Sequence, residues 1–142
     1  MKYKIALLTL VTVIMMGCND GGIPGTPLEN STTIRVDDDL FSNAPNDDVE
    51  ITQATLAGDS LTLTIYYGGG CGDIYYDLIG ETNYQTTNPI QRNIRLAFDD
   101  KDNCEALVEL ALSFDLTPIQ VTNSDTIILN LAGWANPIEY IY

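Results

Sequence analysis

Between Leu61 and Tyr67 apolar and polar side chains alternate without a break, with Leu61, Leu63, Ile65 and Tyr67 set against Thr62, Thr64 and Tyr66. A period of two places one set in a core and the other in water, so this stretch reads as a half-buried strand. The run before it, Val49 to Ala57, joins it through Gly58-Asp59, where glycine at the first turn position permits the positive φ of a tight hairpin. Counting outward from that turn pairs Leu56 with Leu61 and Ala54 with Leu63. Val49 and Ile51 then fall on the wrong parity, which predicts a bulge near Thr52-Gln53.

Two further strands are predicted at Asp73 to Gly80, with Ile74, Tyr76 and Leu78 on one face, and at Pro89 to Phe98, with Ile90, Ile94, Leu96 and Phe98 on one face. The polar stretch Glu81 to Asn88 between them reads as a loop. Cys104 to Leu116 fits two patterns, since Leu107, Leu110, Ala111 and Phe114 also trace a helical stripe. Strand is the better reading, because every even position is apolar and a helix would leave Val108 and Leu112 on its wet face. Asp125 to Leu131 and Pro137 to Tyr142 supply two more short strands. Seven or eight short strands without a convincing helix predict an all-β, antiparallel β-sandwich of immunoglobulin-like kind over residues 49–142, with a small β-barrel as the alternative.

The front of the chain has a different pattern. Met1-Lys2-Tyr3-Lys4 is a short cationic stretch, and Ile5 to Met16 is apolar apart from threonines, too short to span a bilayer and laid out as a signal peptide over residues 1–17. Met15-Met16-Gly17-Cys18 resembles the lipobox of bacterial lipoproteins, in which a small residue precedes the cysteine that is lipidated. Gly17-Cys18 fits that pattern, whereas Met15 and Met16 stand where the family usually has leucine and a small residue. The resemblance implies a diacylglycerol on Cys18 and usually a third, palmitate-like chain on its amine, enough for stable anchoring. Asn19 is not the aspartate associated with inner-membrane retention in enteric bacteria, which makes the outer membrane the expected address within the cell envelope. Residues 18–48, with their glycines, prolines and the runs Asp37-Asp38-Asp39 and Asn46-Asp47-Asp48, read as a flexible acidic tether, with a short strand at Thr33 to Val36 able to dock.

Three cysteines are an odd number, and lipidation of Cys18 would leave Cys71 and Cys104 to pair. Closing that loop would stabilise the fold by about 3 to 4 kcal/mol on the chain-entropy view. Neither cysteine has a histidine or a second cysteine beside it, so CxxC redox chemistry and a zinc site are disfavoured. Around them, Gly58 to Ile65 leading into Tyr67-Gly68-Gly69-Gly70-Cys71-Gly72, then Asp102-Asn103-Cys104, the strand closing at Phe114-Asp115, Ile127 to Gly133 and Ile138-Glu139-Tyr140, resemble a group of small uncharacterised bacterial lipoproteins. That resemblance implies a compact β-rich lipoprotein with a disulfide and carries no activity. Relatives often have histidine where this chain has Ile74.

Charge and composition narrow the function. Once Lys2 and Lys4 are removed, four cations face 20 Asp plus Glu, a net charge near −16, which disfavours nucleic acid and electrostatic membrane docking. The absence of histidine removes the commonest general base and metal ligand and any Ser-His or Cys-His pair. Gly68-Gly69-Gly70 precedes a strand and lacks the helix and lysine of a phosphate loop. Asp99, Asp100, Asp102 and Asn103, with Glu105, form a weak calcium candidate without EF-hand spacing. Tyr66 and Tyr75 take outward parity, with Asp73 and Asp77 beside Tyr75, as a candidate glycan or peptide surface. For catalysis only carboxylate pairs are left, and Asp73 and Asp77, on one face of a predicted strand, would also need a cleft and a raised pKa for glycosidase chemistry. The expected function is therefore a non-enzymatic, lipid-anchored envelope lipoprotein with a structural or protein-interaction role. Its partners are the membrane through Cys18 and an envelope protein or glycan. No cofactor is expected beyond the calcium candidate.

Overall fold

In the computed structural model, which describes residues 27–142, the alternation of the sequence becomes the two walls of one core. The signal peptide, the lipobox and Cys18 lie outside the described residues. The chain runs β1 (Arg35–Val36), α1 (Asp38–Asn43), β2 (Val49–Ala57), β3 (Ser60–Gly69), β4 (Ile74–Gly80), β5 (Ile90–Asp100), β6 (Ala106–Asp115), a 3-10 turn (Thr117–Ile119), β7 (Thr126–Leu131) and β8 (Ile138–Ile141). β3 is the middle strand of a three-stranded antiparallel sheet, with β2 and β6 at its sides. The hairpin pairs Leu56 with Leu61 and Ala54 with Leu63 around Gly58 at φ 58°, and its register slips between Ile51 and Gln53. That bulge restores Val49 and Ile51 to the core side, opposite Tyr67 and Ile65.

The second sheet has the order β1-β4-β5-β7-β8. The two-sheet, all-β expectation holds, and this sheet is mixed rather than wholly antiparallel: β1 runs parallel to β4 and β5 parallel to β7. The β5–β7 pairing has a simple cause. After β5 the chain crosses to the other sheet for β6 and returns, so two reversals bring β7 back in the direction of β5. Between the sheets lie Leu61, Leu63 and Ile65, facing Leu78, Leu96, Phe98 and Ile127, all at 4% exposure or less. Tyr67 packs tilted on Phe98 at 5.1 Å, and Tyr76 meets Phe114 edge-on at 6.3 Å.

The stretch expected as tether through residue 48 is, from Pro27 onward, part of the body. Leu28 and Leu40 are buried with Ile79 and Ala97, forming a smaller apolar cluster on the outer face of the five-stranded sheet. β4 and β5 are thus buried on both faces, which their sequence shows as apolar runs, Leu78-Ile79 and Leu96-Ala97-Phe98, in place of alternation. The acidic residues that suggested a solvated linker serve local structure. Asp37 caps α1 by accepting from the Leu40 N–H at 2.9 Å, and Asp38 accepts from the Thr82 N–H at 2.7 Å. At the other end of α1, the Arg95 guanidinium donates to the carbonyls of Phe41, Leu40 and Ala44 at 2.6, 2.9 and 2.8 Å. A few apolar anchors and scattered polar contacts hold this segment down, too sparse a signal for composition to reveal.

Candidate functional site

Tyr75 and Asp77 project from the same side of β4, toward the layer built by residues 27–48. Asp77 is fully buried. Its carboxylate accepts from the Ser31 N–H at 2.9 Å, the Glu29 N–H at 3.1 Å and Arg35 Nη1 at 2.6 Å. It is a clamp on the N-terminal segment, and its expected place on a ligand surface is corrected: outward parity left it open to water, and residues 29–35 lie over it. Asp73 is exposed ahead of β4, and its carbonyl accepts from the Lys101 N–H at 3.1 Å. The glycosidase pairing therefore lacks one partner, since Asp77 is committed to the fold.

Tyr66 stands on the outer face of the other sheet, where its hydroxyl bonds Glu109. Tyr66 and Tyr75 consequently lie on opposite outer faces of the sandwich and do not form one surface. Tyr75, 37% exposed, instead lines a cleft of about 900 Å³ between the N-terminal layer and the ends of β4 and β5. Leu28, Leu40 and Ala44 supply apolar lining, and Asp39, Asp99 and Lys101 supply charge. Lys101 is held by Asp99 at 2.7 Å, and that hydrogen bond raises its pKa. Asp37, also at the cleft, is spent on capping α1. The free charge of the cleft is therefore negative. Sequence reasoning missed this cleft because one wall comes from the presumed tether. The available signal was the start pattern of α1, Asp37 followed by two acidic residues and then Leu40-Phe41.

The glycine-rich turn forms a second constellation. Cys71 and Cys104 are joined in a disulfide with Cα atoms 6.0 Å apart. Three successive N–H groups, of Gly70, Cys71 and Gly72, donate to one oxygen of Asp102 at 2.8, 3.1 and 3.0 Å, and the Cys104 N–H donates to its other oxygen at 2.9 Å. The turn is an anion nest whose anion belongs to the chain itself. Two glycines make it buildable: Gly70 sits at φ 106°, and a Cβ on Gly72 would come within 2.3 Å of Asp102 Cβ. Burial pushes the Asp102 pKa up, but the backbone donors from Cys71, Cys104, Gly72 and Gly70 together outweigh it and hold the carboxyl below its ordinary value of 3.8. A depressed folded pKa contributes stability that is present above the unfolded value and lost as pH falls through the folded one. Thermal midpoints measured from pH 6 down to pH 3 should therefore fall more steeply for the wild type than for Asp102→Asn, and parallel curves would show that the nest does not couple to folding.

The calcium candidate is not assembled. Asp99 turns to Lys101, Asp100 accepts from the Asp102 N–H at 3.0 Å, and Asp102 is occupied by the nest. Among the described residues the one cluster with metal-ligand character is Cys71, Asp102 and Cys104, and its sulfurs are joined to each other.

No protein-family model matches the sequence, and no curated protein matches it. Solved structures that share its architecture include two from Bacteroides. A NigD-like immunity protein from Bacteroides caccae superposes with a TM-score of 0.61 at 16% identity, over 78% of this chain and 63% of that one. A protein of unknown function from Bacteroides vulgatus does so with a TM-score of 0.52 at 18% identity, over 78% of this chain and 54% of that one. The chain spans less than two thirds of the length of either, and at such identities the likeness is one of fold. The described residues thus form a two-sheet β-protein similar in architecture to these Bacteroides proteins, with an acid-rimmed cleft on its outer layer.

Proposed function

We propose that this chain is a lipid-anchored envelope lipoprotein that works by protein interaction and not by catalysis, held through Cys18 at the outer membrane. The observation that carries the interaction reading is the cleft at Tyr75. Its apolar lining of Leu28, Leu40 and Ala44 beside the carboxylate of Asp39 suits the methylene stem and charged head of a lysine or arginine from a partner. The groups that could have carried chemistry, Asp77, Asp102 and Arg95, are engaged in holding backbone. An immunity role, as named for the similar Bacteroides caccae protein, would be one form of such binding. Of the alternative glycan or peptide module built on tyrosines, the placement of Tyr75 favours the peptide half.

Two measurements test this reading. Intact mass spectrometry of the membrane-extracted protein should show a chain beginning at Cys18 with added acyl mass; an unmodified soluble chain removes the anchor. Titration with a tri-lysine amide, too short to add a strand to a sheet, should show binding that weakens about 3- to 10-fold in Asp39→Lys and in Tyr75→Ala. No binding, or equal binding by the wild type and both variants, would remove the cleft from the proposal.

A further inference from the structure

A strand at the edge of a sheet exposes unpaired N–H and C=O groups, and natural proteins blunt such edges by shortness, bulges, charge or cover. Most edges here are managed in these ways. β1 has two residues and β8 four, and β2 is broken by its bulge. Where β1 leaves β4 uncovered, the Asn30 amide stands in for a strand, donating to the Ile74 carbonyl at 3.2 Å and accepting from the Tyr76 N–H at 2.7 Å.

β6 is the exception. It has ten residues, pairs with β3 in unbroken register along its length, and contains neither proline nor a cation. Its final residue is covered: the Asp115 N–H donates to the Thr32 carbonyl at 2.8 Å, and the Asp115 carbonyl accepts from the Ile34 N–H at 3.0 Å. Those bonds set the phase of the strand. The backbone groups of Asp115 point away from β3, so those of Leu107, Glu109, Ala111 and Ser113, at steps of two, do so as well. Among the described residues these four have no backbone partner on that side. Leu107, 77% exposed, is the most exposed large apolar side chain described.

We propose that the open edge of β6, from Leu107 to Ser113, receives an extended segment of a basic partner protein as a fourth strand of the three-stranded sheet. Charge selects the partner. On the outer face Glu50, Tyr66 and Glu109 lie in one row across β2, β3 and β6, so the next position in that row, on an added strand, favours lysine or arginine. On the inner face Val108 and Leu110 are only partly buried, and an apolar residue on the added strand would cover them. The recognised pattern is thus basic and apolar residues in alternation. A second copy of this chain is disfavoured, because its own β6 would bring a second Glu109 to the junction between two strongly acidic bodies. The proposal extends the protein-interaction reading to a second surface and stands independently of the Tyr75 cleft.

The probe is a seven-residue peptide alternating lysine and valine, N-methylated at alternate positions to prevent self-association, with a glutamate–valine peptide as control. Fluorescence anisotropy at low salt should show the lysine peptide binding at least tenfold more tightly than the control. Ala111→Pro removes an N–H that faces the open edge and spares the β3 ladder, so in an Asp39→Lys background, where the Tyr75 cleft no longer favours lysine, it should abolish binding while far-UV circular dichroism stays that of the wild type. Glu109→Lys, which leaves the backbone intact, should reverse the preference between the two peptides and serves as the test if Ala111→Pro does not fold. Asp39→Lys should leave the binding of this peptide within about twofold, which separates edge from cleft. Equal affinity for the two peptides, binding that survives in folded Ala111→Pro carrying Asp39→Lys, or no binding would overturn the proposal. A concentration-dependent wild-type dimer in sedimentation, dissociated by Ala111→Pro, would overturn it in favour of a second copy.

Discussion

Asp77→Ala is expected to lower the unfolding free energy by about 3 to 5 kcal/mol, the cost of breaking a buried ion pair from one side. The carboxylate is at 0% exposure and accepts from two backbone N–H groups and from Arg35. Its removal strands the Glu29 and Ser31 donors, each worth about 1 to 3 kcal/mol when unpaired. It also leaves a largely buried guanidinium whose only other carboxylate among the described residues, Glu29, lies 4.0 Å away. For a domain of this size the thermal midpoint should drop by roughly 10 to 20 °C. The damage should be local at first. Residues 27–36 cross the sheet on these bonds, so limited proteolysis should cut within 27–48 well before the sandwich unfolds. Asp77→Asn, which keeps one acceptor oxygen but turns an amide toward Arg35, should fall between wild type and alanine. A midpoint unchanged by Asp77→Ala would show that Leu28 and Leu40 suffice to dock the segment. The position was expected to contact ligand; the measurable consequence of its mutation is instead stability.

Removing the disulfide should cost about 3 to 4 kcal/mol, from a loop closed across a sequence separation of 33. The double variant Cys71→Ala, Cys104→Ala should unfold at lower denaturant concentration with little change in cooperativity, and the wild type should match it once reduced. The four N–H bonds to Asp102 still tie the glycine turn to the loop before β6, so the reduced protein should remain folded at neutral pH, and should lose this support faster on acidification than the oxidised protein. A two-dalton gain in mass on reduction verifies the bond itself. Identical denaturation curves with thiols shown to be free would mean that the nest alone closes the loop.

Several elements were legible because their cause is local. The hairpin at Gly58-Asp59, its bulge and the strand character of β6 follow from parity, and parity is a property of neighbouring residues. The reading of Cys104 to Leu116 as a strand held because Leu112, Phe114 and Leu116 needed one shared face, and all three are buried. The polar loop after β4 was recognised from its composition alone. These are effects of φ, ψ and side-chain alternation, and no distant partner is needed to produce them.

Parity also marks the limit. It assigns a side chain to a face of its strand, but it does not say what covers that face or which sheet the strand joins. Tyr66 and Tyr75 share outward parity and stand on opposite sides of the molecule, because β3 and β4 belong to different sheets. Asp77 is outward and yet fully buried, because residues 29–35 return from more than forty positions away to cover it. The same return builds the cleft at Tyr75, and Asp102 reaches the glycine turn across some thirty residues. By itself the sequence determined the strands, their turns, a two-walled core and a pair of cysteines able to close a loop, since each rests on spacing along the chain. The tertiary structure alone decided which carboxylates hold backbone and which face solvent, where the acidic cleft lies and which edge stays open, since each depends on segments whose meeting is paid for by burial elsewhere in the fold.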